Sequence, residues 1–125
     1  MADFRDLRVC KDAMNLCKSI YELTSEFPKN EQYVLVSQMR RSALSVASNI
    51  AEGSGRQHRK EFVHFLYTAR GSLYELITQL DLCAMIQLID NPNKTTIVDC
   101  CDDLGRGINA LITSMKDSTR ISASR

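Results

Sequence analysis

The chain predicts an all-α fold, an antiparallel up-and-down four-helix bundle, on three observations. Apolar side chains recur at steps of three and four along four separate stretches, short turn-forming connections divide those stretches, and no run alternates in the two-residue period of a strand. Its 125 residues at 44% hydrophobic content suit one domain with a single core, 1–125.

The first stretch, 6–27, sets Ala13, Leu16, Ile20, Leu23 and Phe27 on one helical face. It is expected to end at Phe27-Pro28, because proline pushes the residue before it out of the helical region. The second, 30–52, repeats the spacing with Val36, Met39, Ala43, Val46 and Ile50, with Asn30 as its expected N-cap and Gly53 and Gly55 as its stop. Ser54 and Gln57 have the form of a capping box opening the third and longest stretch, 56–88, which carries Phe62, Phe65, Leu66, Ala69, Leu73, Leu76, Ile77 and Leu80.

Asp90-Asn91-Pro92-Asn93 is turn chemistry, and Asn93 is the expected cap of the fourth stretch, 93–117. Its face is Ile97, Cys101, Leu104, Ile108, Leu111, Ile112 and Met115, which offsets the roughly 1 kcal/mol that Gly105 and Gly107 each cost in a helix. The tail, 118–125, is expected to fray.

Net charge is only +1, which argues against a general polyanion binder, but the charge is segregated. Residues 40–60 hold Arg40, Arg41, Arg56, Arg59 and Lys60 against Glu52 alone. Arginine forks bind phosphate oxygens in pairs, the Gly53 to Gly55 amides stand near a helix start, and Tyr67, Tyr74 and His58 offer stacking faces for bases. The plainer reading puts Arg40 or Arg41 in ion pairs between helices or subunits, with Glu75 the partner offered for Arg41, and leaves Arg59 and Lys60 on a solvated face.

Two helices carry more apolar surface than one seam requires. Leu7, Cys10, Met14, Cys17 and Tyr21 form a second stripe on the first, and Val63, Tyr67, Arg70 and Tyr74 form one on the third. They read either as a wide core face or as a self-association surface built on Met14, Tyr21, Tyr67, Arg70 and Tyr74. Ser42, Ala43, Ser45, Ala47, Ser48 and Ala51 let a neighbouring helix come close to the second.

Five cysteines, an odd number with no Cys-x-x-Cys pair, read as inert core thiols of a reducing compartment. The N-terminus has no secretory apolar run and no stretch nears the roughly 20 apolar residues of a bilayer span, so a cytoplasmic protein without a membrane partner is expected. Gly53-Ser54-Gly55 lacks the strand, third glycine and lysine of nucleotide loops, and His58 and His64 are six apart rather than four. No catalytic residue, metal or cofactor is expected.

Ile20-Tyr21, Phe27-Pro28, Glu31, Tyr33, Leu35, Gln38, Arg40-Arg41-Ser42-Ala43, Asn49-Ile50-Ala51-Glu52-Gly53, Gly55-Arg56, Phe62, Phe65-Leu66, Ala69, Gly71-Ser72 and Glu75 together resemble the 23S rRNA intervening-sequence protein family. The resemblance covers most of the first three helices and implies a four-helix bundle. That family is in turn similar to the accessory protein of diversity-generating retroelements, a pentameric barrel that binds nucleic acid and a reverse transcriptase. This second likeness implies a ring or barrel-like homo-oligomer, a pentamer, and carries over Arg40, Arg41 and the loop ending in Arg56. The expected function is therefore non-enzymatic binding or scaffolding, with RNA or DNA as ligand. The alternative is an assembly module that docks a partner protein such as a polymerase.

Overall fold

The computed structural model describes residues 3–123, with side chains through Asp117. Four helices make up the bundle: α1 (Arg8–Thr24), α2 (Ser37–Ser54), α3 (Arg59–Met85) and α4 (Asn91–Ala123). Each packs on the next and α4 returns to α1, the closed order of an up-and-down bundle. One end of the bundle therefore gathers the α1–α2 and α3–α4 connections, and the other gathers the N-terminus, the α2–α3 turn and the end of α4. Among the described residues no helix is long and apolar enough to cross a membrane.

The apolar periodicity is what closes the core. Ala13, Ile20, Met39, Ala43, Val46, Ile50, Leu66, Ala69, Leu73, Leu76, Leu80, Cys101 and Ile108 are all fully buried. The helix ends differ from the expected 6–27, 30–52, 56–88 and 93–117, and each difference has a local cause. Asn30 caps nothing: it sits inside a 3-10 turn, Lys29–Glu31, which runs into a π-helical turn, Gln32–Val36, before α2 begins. The wide turn seats Leu35 and Val36 in the core while Tyr33 and Val34 face out.

The capping box at Ser54 is not formed. Ser54 belongs to the last turn of α2, its hydroxyl donates to the Ala51 carbonyl at 2.7 Å, and the backbone at His58 makes the cap of α3. Gly53 lies within α2 rather than ending it, and Gly55 is the C-cap. At the α3–α4 turn, Asp90 caps instead of Asn93. Its Oδ1 accepts from the Asn93 amide at 2.8 Å, so the cap stands three positions earlier than the sequence suggests. α3 stops because Gln87 takes φ 64°, which lets the Leu88 amide reach the Cys83 carbonyl at 2.8 Å and the Gln87 amide reach Ala84 at 3.1 Å. α4 continues as helix to Ala123, so it and not α3 is the longest of the four, and of the tail expected to fray only 124–125 lies outside the described residues.

α2 and α3 share a polar seam within this apolar frame. The Ser45 and Ser72 hydroxyls bond at 2.8 Å, Asn49 donates to the Ser45 carbonyl and hydroxyl at 2.8 and 3.0 Å, and Ser42 donates to Glu75 at 3.4 Å. Small side chains on α2 permit this approach.

Candidate nucleic-acid interface

The basic segment 40–60 is contiguous in sequence and divided in space. Arg40 and Arg41 stand in the early turns of α2, whereas Arg56, Arg59 and Lys60 follow its far end. At 1.5 Å per residue, Arg41 and Arg56 are separated by about 22 Å along the axis.

Arg40 is occupied. Its Nε donates to Thr24 Oγ1 at 2.9 Å, one Nη donates to the Tyr21 carbonyl at 3.3 Å, and the guanidinium lies 4.6 Å from the Tyr21 ring centre. It ties α2 to α1 and covers part of the Tyr21 face. Arg41, the next residue and about 100° further round the helix, is exposed and makes no hydrogen bond or ion pair among the described residues. The pairing of Arg41 with Glu75 is thus not formed; Ser42 is the residue turned towards α3, and its hydroxyl reaches that carboxylate.

At the other end, Arg56 pairs with Glu52 at 2.7 Å and stacks 4.8 Å from the Phe65 ring centre. Glu52 therefore finds its partner four residues on, just past the end of its own helix. The amides expected to hold an anion are already used: Gly55 donates to the Glu52 carbonyl and Arg56 to the Gly53 carbonyl, both at 3.1 Å. Arg59 and Lys60 are exposed in the first turn of α3, with no ion pair to a described carboxylate. His58 is exposed at the cap, and His64 sits edge-on to Phe65 with ring centres 5.9 Å apart.

The second stripes are narrower than the sequence implies. Cys10, Cys17 and Val63 are buried within the chain, and the Cys17 thiol donates to the Ala43 carbonyl at 3.1 Å. Met14 stays 60% exposed and lines a groove of about 610 Å³ with Phe4, Cys10, Ala47 and Ala51.

On α3, Tyr67 and Tyr74 remain 37% and 51% exposed, and cations surround them. The Arg70 guanidinium lies 4.8 Å from the Tyr67 ring centre and 6.0 Å from that of Tyr74. Lys116 of α4 lies 5.0 Å from the Tyr67 ring centre, and its ammonium donates to the Tyr67 hydroxyl. Arg70 also donates to Asn109 Oδ1 at 3.0 Å. Lys116 and Asn109 carry no signal in the sequence, because only the fold brings them to a residue some 40 to 50 positions earlier; their heptad separation on α4 is the one trace.

Four thiols are buried as expected, and burial pushes the Cys10 and Cys17 thiols up, Cys83 to about 11 and Cys101 to about 12. Cys100 departs from the expectation: it is exposed, beside a groove with Arg8, Asp12 and Asp103. Among the described residues no cluster of His, Cys, Asp or Glu could hold a metal ion.

No curated protein matches the chain. A crystal structure of a protein with unknown function from the S23 ribosomal protein family of Bacteroides thetaiotaomicron VPI-5482 is similar, with a TM-score of 0.79 at 21% identity over 84% of this chain and 95% of that one. At that identity the likeness speaks for the bundle. The family model described as 23S rRNA-intervening sequence protein matches residues 5–110, which takes in all of the first three helices and more than half of the fourth. By that match the chain belongs to the 23S rRNA-intervening sequence protein family.

Proposed function

We propose that the chain is a non-enzymatic, self-assembling helical-bundle module that holds RNA or DNA by its phosphates at the turn between α2 and α3. The observation that carries this reading is the position of Arg59 and Lys60. Both occupy the first turn of α3, where the helix dipole disfavours a cation by about 0.3–1 kcal/mol each, and neither has a carboxylate partner among the described residues. The fold draws nothing from them, whereas a phosphate at that turn would meet two free cations and the half-exposed guanidinium of Arg56.

Contacts of this kind read the backbone rather than the bases, so binding is salt-sensitive and weakly sequence-specific. Arg40 is structural in this reading, and Arg41 is an outlying contact on another part of the surface. Self-assembly, with the pentamer implied by resemblance as its leading form, uses the open apolar groove at Met14 and Phe4.

Titrating salt against binding of generic RNA and duplex DNA tests the reading. Affinity that falls steeply with salt, with a slope reduced by about 2 to 3 in an Arg56→Ala, Arg59→Ala, Lys60→Ala variant, supports it. No binding at low salt overturns it and favours the second reading, a module that docks a partner protein. That second reading draws on the apolar side chains exposed at the opposite end, Tyr33 at 91% and Met85 at 79%.

A further inference from the structure

Lys60, His64, Tyr67, Gly71 and Tyr74 step by four, three, four and three along α3, so they form one straight outward stripe about 21 Å long. Arg70 and, from α4, Lys116 flank it at the tyrosines. We infer that this flank binds the unpaired bases of a single-stranded nucleic acid, with Tyr67 and Tyr74 as stacking faces and Arg70 and Lys116 as the cations that meet its phosphates. The inference rests on the nucleic-acid reading above and names the form of its ligand.

Charge is the first argument. Arg70 is held by an amide oxygen and Lys116 by a phenol, and neither partner is ionic, so two full positive charges stand unneutralised beside aromatic surface. Were this flank sealed dry against a second copy, both charges would lose water with no carboxylate among the described residues to offset the loss. A polyanion offers the matching charge without that penalty.

Shape is the second. A Cβ placed on Gly71 meets nothing within 4 Å, although glycine inside a helix costs about 1 kcal/mol relative to alanine. No close packing within the chain calls for the glycine. It leaves bare backbone between the two rings, which lie about 10 Å apart along the axis, room for a flat base on each. Bases of a duplex are hidden in its stack and cannot reach such faces, whereas an unpaired strand presents them. Lys60 continues the stripe to the α2–α3 turn, so the same strand passes from the stacking faces to the phosphate contacts proposed there.

The test is fluorescence anisotropy with the full chain and labelled oligonucleotides of about 12 units, oligo-dT and oligo-U against a duplex of the same length. The single strands are expected to bind at least about tenfold tighter than duplex, and the two single-stranded arms decide between DNA and RNA. A Tyr67→Leu, Tyr74→Leu variant is expected to lose about tenfold or more for single strands with duplex affinity and salt slope unchanged, while Tyr67→Phe, Tyr74→Phe keeps the affinity. The chain has no tryptophan and four tyrosines, so single strands should also quench its intrinsic emission, and the leucine variant should lose that response.

Duplex binding as tight as single-strand binding overturns the inference, as does a leucine variant that holds single strands like the parent. Dissociation of an assembly by the leucine variant in sedimentation also overturns it, since the rings would then face a second copy. Failure to bind nucleic acid in any form removes the parent reading along with it; salt-dependent binding indifferent to the tyrosines removes only this one.

Discussion

Gly53 of α2 lies against Phe65 of α3 so closely that a Cβ built on the glycine would stand 2.7 Å from the Phe65 Cβ and 2.9 Å from a Phe62 ring carbon. Gly53→Ala must therefore push the two helices apart. The overpacking should cost about 1–3 kcal/mol despite the roughly 1 kcal/mol that alanine adds to helix propensity. Gly71→Ala, in open space, should instead raise stability by about 0.5–1 kcal/mol. Urea denaturation of both variants checks the opposite signs.

Arg40 and Arg41 are neighbours in sequence with unequal structural roles. Arg40→Ala removes two hydrogen bonds and a ring contact that join α2 to α1, while the Thr24 hydroxyl keeps its bond to the Ile20 carbonyl, so a loss of about 1–2 kcal/mol is expected. Arg41→Ala touches no described partner and should stay within about 0.5 kcal/mol of the parent. Equal losses in thermal denaturation would show that the assignment of Arg40 is mistaken.

The turn between α3 and α4 rests on two residues that can be changed separately. Gln87 holds φ 64° at a position suited to glycine, and Gln87→Gly should stabilise the chain by about 1 kcal/mol. Asp90→Ala removes the acceptor of the Asn93 amide and should destabilise it by a similar amount, about 1 kcal/mol. Measured in one chemical-denaturation series, the two shifts should have opposite directions.

Thiol chemistry separates Cys100 from the rest. In the native chain one thiol should react rapidly with a mild alkylating reagent and four slowly, which mass spectrometry counts directly. Burial raises Cys83 to about 11 and Cys101 to about 12 from an ordinary value of 9.0. The neutral thiols favour the fold, so this contribution is complete below pH 9 and drains away as pH climbs through 11 and 12. Denaturation midpoints that hold level across that range would contradict the burial of these two groups.

The apolar faces were legible because helical periodicity is a property of nearest turns, and the buried positions of Met39, Ala43, Val46 and Ile50 follow it without exception. The caps were not. Asn30, Ser54 and Asn93 have the chemistry of caps, but which of several eligible side chains wins depends on where the chain must bend to close the core, as the π-helical turn before Ser37 shows. Charge clustering misled for a related reason, since a helix of 18 residues carries Arg41 far from Arg56. Lys116 joins Tyr67 only through the α3–α4 contact, a relationship no local pattern contains.

The hydroxyl bridge from Ser45 to Ser72 acts as an index mark for two otherwise greasy rods. A slip of one turn, about 5.4 Å, would part the Ser42 and Ser45 hydroxyls from their α3 partners and drive a phenylalanine ring into the hollow that Gly53 now leaves. Of the many alignments that bury equal oil, the molecule is thereby confined to one, and the outward row of tyrosines on α3 inherits a fixed height beside Arg41 of α2.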